Sequence, residues 1–135
     1  MSTLGKLRTQ YDSATDTTTF KASGVIGANL LVTLDTSDDG EGGSCKVVGA
    51  LTDRPIGVLD GDACAAGDKV AIVFRGIVPV VCADSSIACG VAVYNTAAGK
   101  ISSTQGSNAR LVGYTASAIS AANELVSVVL AGPQV

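Results

Sequence analysis

The stretch "RPIGVLDGDACAAGDKVAIVFRG" (54–76) lies over "RLVGYTASAISAANELVSVVLAG" (110–132) without a gap, at a constant shift of 56 residues. Arg54 falls on Arg110, Gly57 on Gly113, Val70 on Val126, Val73 on Val129 and Gly76 on Gly132. The overlay preserves strand parity: Val70, Ile72 and Phe74 keep step with Val126, Val128 and Leu130, the alternation that a half-buried strand needs. The chain therefore carries a duplicated strand–loop–strand unit.

Within that unit one short phrase recurs: a small residue, Gly or Asn, two free positions and Val. It reads Ala66-Gly67-Asp68-Lys69-Val70 and Ala122-Asn123-Glu124-Leu125-Val126 in the two copies. It appears twice more outside them, as Ala28-Asn29-Leu30-Leu31-Val32 and Cys89-Gly90-Val91-Ala92-Val93. Gly, and less readily Asn, accept the positive φ of a tight reversal, so each phrase reads as a turn feeding a strand. The Val then begins the buried face.

Other β-branched runs, "LLVTLD", "CKVVGAL", "VAVYN" and the long "KVAIVFRGIVPVV", alternate with turn residues at strand-like spacing. Helical signal is confined to single turns in "DACAAG" and "SAISAAN". The expected fold is all-β: a single domain over 21–135, with the internal repeat at 54–76 and 110–132. Residues 1–20, rich in Ser and Thr toward their end, read as an extended N-terminal arm. At 135 residues, 47% hydrophobic but mostly Ala and Val with no Trp, the chain supports one domain with a core of small branched side chains.

The same composition excludes several functions. No His is present, which removes Ser-His-Asp and Cys-His catalysis and the commonest metal ligand. No P-loop, G-x-G-x-x-G or H-E-x-x-H motif occurs, so no catalytic residue and no cofactor are expected. Nine scattered Lys and Arg under a net charge of −3 give no phosphate-binding patch, so nucleic acid is not an expected partner. No apolar run reaches membrane-span length and the N-terminus lacks a signal-peptide core, so no membrane is expected and synthesis in a cytosol is.

Cys45, Cys64, Cys82 and Cys89 lack C-x-x-C spacing and read as buried reduced thiols. Zinc, or a Cys82–Cys89 bridge under oxidising conditions, is the weaker reading. "DTSDDGEGGSCK" starts like an EF-hand loop, but Lys46 stands where the bidentate Glu belongs. Asp35, Asp38, Asp39 and Glu41 therefore read as a solvated acidic loop. "GDKV" suggests a lipoyl- or biotinyl-type carrier domain, yet Lys69 sits early in a strand where a carrier lysine needs a hairpin tip.

From residue 24 to 132 the layout "GANLLVTLD", "RPIGVLDGDACAAGDKVAIVFRGIVPVVCA", "IACGVAVYNTAAGKI" and "GYTASAISAANELVSVVLAG" resembles the small β-rich decoration (cement) proteins of tailed-bacteriophage capsids. The matching grammar is Pro55, Gly57, Gly67, Asp68, Val70 and Gly76; the second unit departs from it with Asn123 and Glu124. The resemblance implies a β-barrel or β-tulip domain forming a homotrimer on the outer surface of an expanded head. There it would clamp neighbouring copies of the major capsid protein. It also implies a virion location after synthesis in the host cytoplasm. Read from the residues, a capsid-contact arm would use Leu4, Leu7, Tyr11 and Phe20. Arg54 and Arg110, equivalent in the repeat, read first as surface cations at strand starts and second as contacts across an oligomer interface. The alternative is a lipoyl- or biotinyl-like carrier or a small-molecule-binding β-domain.

Overall fold

The computed structural model describes residues 16–37 and 43–131. Among these, every regular element is a strand. The order is β1 (Asp16–Ala22), β2 (Leu31–Leu34), β3 (Ser44–Val47), β4 (Gly57–Leu59), β5 (Lys69–Val81), β6 (Ala92–Asn95), β7 (Ile101–Ser102), β8 (Leu111–Thr115) and β9 (Leu125–Leu130). β1 pairs in parallel with β3 and antiparallel with β5, while β3–β2–β4–β5 completes the circuit. The first five strands thus close a ring. Closure removes the free sheet edge that an open sheet must otherwise protect.

β5 is 13 residues long and serves twice. Its first half pairs with β1 and β4; from Gly76 onward it pairs with β9, which continues through β8 and β6 to β7. A parallel bridge from Ile101 back to Cys82, just beyond β5, closes this second set. The fold is therefore two small barrels sharing one strand. Gly76, at φ 107°, sits at the changeover, in a conformation few residues other than glycine adopt.

The two barrels repeat one another pair by pair. Val58 faces Val73 across β4–β5, and Tyr114 faces Val129 across β8–β9. Val32 faces Gly57 as Val93 faces Gly113. Ala22 is paired with Cys45 as Cys82 is with Ile101. The turns agree as well: Gly67 N donates to Ala22 O at 2.8 Å, and Asn123 N donates to Cys82 O at 2.8 Å. All four phrase positions have positive φ: Asn29 59°, Gly67 91°, Gly90 82° and Asn123 66°. They are two pairs of equivalents, Asn29 with Gly90 and Gly67 with Asn123.

The duplication thus covers nearly the whole described chain and extends well beyond the 23-residue match. Its first part is hidden in the sequence because the acidic loop lengthens one hairpin. Val32 corresponds to Val93, a shift of 61, whereas Gly57 corresponds to Gly113, a shift of 56.

Each barrel has its own interior. Ala22, Ile26, Val32, Cys45, Leu59, Val70 and Ile72 fill the first. The equivalent Cys82, Ile87, Val93, Ile101, Val126 and Val128 fill the second. Thr115 takes the place of Leu59. It is 3% exposed, and its hydroxyl donates to Ala88 O at 2.7 Å and accepts from Val91 N at 2.9 Å, so the buried oxygen is satisfied. The wall is thin where β4 meets β5. A Cβ on Gly57 would lie 2.6 Å from Ile72 Cγ2 and inside the carbonyl oxygen of Val73; one on Gly113 would meet the carbonyl of Val129 in the same way. Glycine is required at both places by the neighbouring backbone.

Candidate functional site

The titratable side chains are dispersed over the two barrels. Among the described residues no three of His, Cys, Asp or Glu come together as a metal site, and Asp38, Asp39 and Glu41 lie outside those residues. The hydroxyls of Ser23 and Ser37 hold Asp35 down to about 2. Ser37 caps it locally, with its N–H and Oγ 3.0 and 2.7 Å from Oδ1. All four cysteines are free thiols. Cys45 and Cys82 are buried, Cys64 is intermediate and Cys89 is exposed. Burial pushes the Cys45 thiol up to about 11 and also raises Cys82, the opposite of what a nucleophile needs.

Lys69 is the exposed first residue of β5, paired with Lys21 across the ladder. It follows the Gly67 turn and stands in the strand, where the sequence places it. Arg54 and Arg110 occupy equivalent positions ahead of β4 and β8 but differ in surroundings. Arg54 is exposed, and its carbonyl accepts from Thr33 Oγ1 at 2.8 Å. Arg110 is half-buried, its N–H donates to Asn95 Oδ1 at 2.7 Å, and its Nε is buried without a hydrogen-bond partner in the chain.

Leu4, Leu7 and Tyr11 lie outside the described residues. Phe20, assigned with them to the arm, stands in β1 and packs against the first barrel's interior. The strand ladder thus reaches into the stretch that the sequence reads as arm, because Thr17–Thr19 are β-branched residues that pair along β5.

What remains is surface shape. The exposed large apolar side chains among the described residues are Val25, Leu34, Ile77, Tyr114, Leu125 and Val129. Four of them share β5, β8 and β9 of the second barrel, and Tyr114, Val129 and Ile77 are direct cross-strand neighbours. Leu34 borders an open apolar groove of about 310 Å³ on the first barrel, lined also by Thr18, Phe20, Ile56 and Phe74. Apolar side chains grouped in this way make these two surfaces candidates for a binding face. As contact residues the sequence singles out none of these except Phe20. Each is an ordinary strand residue, and only the closed rings show which side faces out.

The family model described as phage cement protein matches residues 10–130. The chain belongs to the phage cement protein family. No curated protein sequence matches this cement protein. Solved structures do, among them the crystal structure of head fiber gp8.5 N base in bacteriophage phi29. That structure is 18% identical, with a TM-score of 0.66, and the match covers 90% of this chain and 98% of that one. At that identity the likeness establishes the fold. Membership of the family gives this cement protein a structural, capsid-associated role in the virion, which argues against an enzyme.

Proposed function

We propose that the chain is a passive fastener. After synthesis in the host cytoplasm it binds the outer surface of an expanded tailed-phage head as a homotrimer and holds neighbouring major capsid subunits together. The family match over residues 10–130 carries this reading. The body supports it: two closed barrels with satisfied interiors and apolar outer faces suit a rigid clamp. Lys69, set in a strand ladder, weighs against the carrier alternative.

Leu4, Leu7 and Tyr11 would add an extended capsid contact by strand addition to a subunit edge. Burying one such side chain contributes about 1.5–3 kcal/mol, offset by about 1–2 kcal/mol for each residue ordered. One arm would hold weakly, and three linked in a trimer would gain about 10²–10⁴ in avidity. The test is to add the protein to expanded heads that lack it and measure co-sedimentation and the temperature of DNA release. Binding with a raised release temperature supports the proposal. Heads that neither bind the protein nor gain resistance refute it. A version lacking residues 1–15 that binds equally well refutes the arm.

A further inference from the structure

The duplication allows one barrel to be compared with the other inside a single chain. On the first barrel, Leu31, Val58 and Val73 form a cross-strand row over β2, β4 and β5, 0%, 0% and 3% exposed. With Val48 they pack in one continuous cluster with Val78, Val80, Val112 and Leu130 of the second barrel. Polar links fix this seam: Leu31 N donates to Gly99 O at 2.7 Å, Asn29 Nδ2 to Pro79 O at 3.0 Å and Asn95 Nδ2 to Leu51 O at 3.3 Å. Gly99 lies so close that a Cβ there would stand 2.6 Å from Val47 Cγ2.

Both partners of that contact exist a second time. The row Leu31–Val58–Val73 has its equivalent in Ala92–Tyr114–Val129, in the same register on the second barrel. Here Tyr114 is 50% and Val129 43% exposed. The covered surface Val78, Val80, Asn95, Val112 and Leu130 has its equivalent in Thr18, Phe20, Leu34, Ile56 and Phe74, the five residues of the open groove. Asn95 is 1% exposed where its equivalent Leu34 is 46% exposed. Arg110, beside the seam, is half-buried where Arg54 is exposed. Four of the six exposed large apolar residues, Leu34, Ile77, Tyr114 and Val129, lie on or directly beside these two uncovered surfaces. The seam inside the chain shows what such a row fits.

We propose that the two unused halves meet between copies: the Tyr114–Val129 row of one protomer seats in the Phe20–Leu34–Ile56–Phe74 groove of the next, as the Val58–Val73 row seats on the second barrel within the chain. The contact is head-to-tail, so each protomer uses both surfaces, and such contacts either close into a ring or run on as a filament. The closed form with three protomers is a ring of six barrels joined alternately by covalent and non-covalent seams. Only this closure rests on the trimer proposed above; the contact rests on the duplication. Arg54 would then come to lie beside the seam between copies.

The test uses the full chain and light scattering. Tyr114→Lys with Val129→Glu removes the apolar row while leaving a favourable cross-strand pair, and Leu34→Asp spoils the groove. Each variant alone is expected as a 13.4 kDa monomer with a wild-type far-UV circular dichroism spectrum and a cooperative melt, lower than wild type by the lost association. Mixed one to one, the only intact row and the only intact groove should give a pair of twice that mass and nothing larger. Should either charged variant fail to fold, Tyr114→Ser and Leu34→Ser replace it and should each weaken association at least tenfold. A wild-type trimer whose folded variants remain trimeric, or variants that do not pair on mixing, would overturn the contact and leave the trimer standing. A monomeric wild type would overturn both, with head binding still decided by co-sedimentation. An open polymer would support the contact and overturn closure.

Discussion

Replacing Gly57 or Gly113 by Ala adds one methyl group where the partner strand leaves no room. At Gly57 the new carbon would stand 2.6 Å from Ile72 Cγ2 and within the contact distance of Val73 O; at Gly113 it would stand 3.1 Å from Val128 Cγ1 and within that of Val129 O. The blocking atoms include main-chain carbonyls inside a closed ring, so relief requires moving a strand. Overpacking costs about 1–3 kcal/mol, and displacement of backbone places both substitutions at the upper end. Against this stands about 0.4–1 kcal/mol gained by restricting the unfolded chain. The net expectation is a loss of about 2 kcal/mol at either glycine, a fall in Tm of about 6 °C for a chain of this size. Gly24 has open space around it, so Gly24→Ala should leave stability within about 0.5 kcal/mol of wild type. Urea titration and thermal melts of the three variants make the comparison. If Gly57→Ala and Gly113→Ala melt with wild type, the equivalent close approaches in the two barrels do not exist.

Asp84 accepts from Ser102 Oγ at 2.7 Å, Ser103 N at 2.8 Å and Ser103 Oγ at 2.7 Å. Burial alone would raise its pKa, but these bonds outweigh it and hold the carboxyl below its ordinary value. With the folded-state pKa depressed, its contribution is present above the unfolded value near 3.9 and disappears as pH falls through the folded one. Asp84→Asn should therefore destabilise the chain by about 1–2 kcal/mol at pH 7 and by much less near pH 2, as read by urea titration at both pH values. Thr115→Val keeps the shape but strands Val91 N–H and the carbonyl of Ala88, an expected loss of about 1–3 kcal/mol in the same assay. With a thiol reagent at pH 8, Cys89 should react at once, and Cys45 and Cys82 only after unfolding. Rapid labelling of all four in the native protein would contradict the packed interiors.

The β class and the strand-entering turns were legible because they depend on local chemistry. Gly67, Gly90, Asn29 and Asn123 all adopt the positive φ that their residue types permit. The repeat was legible where its two copies keep equal length, from Arg54 to Gly76 and Arg110 to Gly132. It was lost upstream, where the acidic loop shifts the alignment and where equivalents such as Ala22 and Cys82 or Cys45 and Ile101 share burial but not identity. Ring closure depends on β1 meeting both β3 and β5, pairings between residues far apart in the chain that no short window contains. For the same reason Phe20, read as a residue of the arm, stands in the ladder. Val73 and Val129 share the strand parity opposite to Val70, Ile72, Val126 and Val128, so the sequence does not tell the buried Val58–Val73 row from the exposed Tyr114–Val129 row. Only the single seam between barrels leaves one row covered and the other bare.

A cryo-EM reconstruction of expanded tailed-phage heads incubated with the protein tests the proposed fastening role most directly. Density outside the shell is expected at positions bridging adjacent capsid subunits, with six barrel-sized lobes arranged around each occupied three-fold. An undecorated shell, or density touching one subunit only, would contradict it.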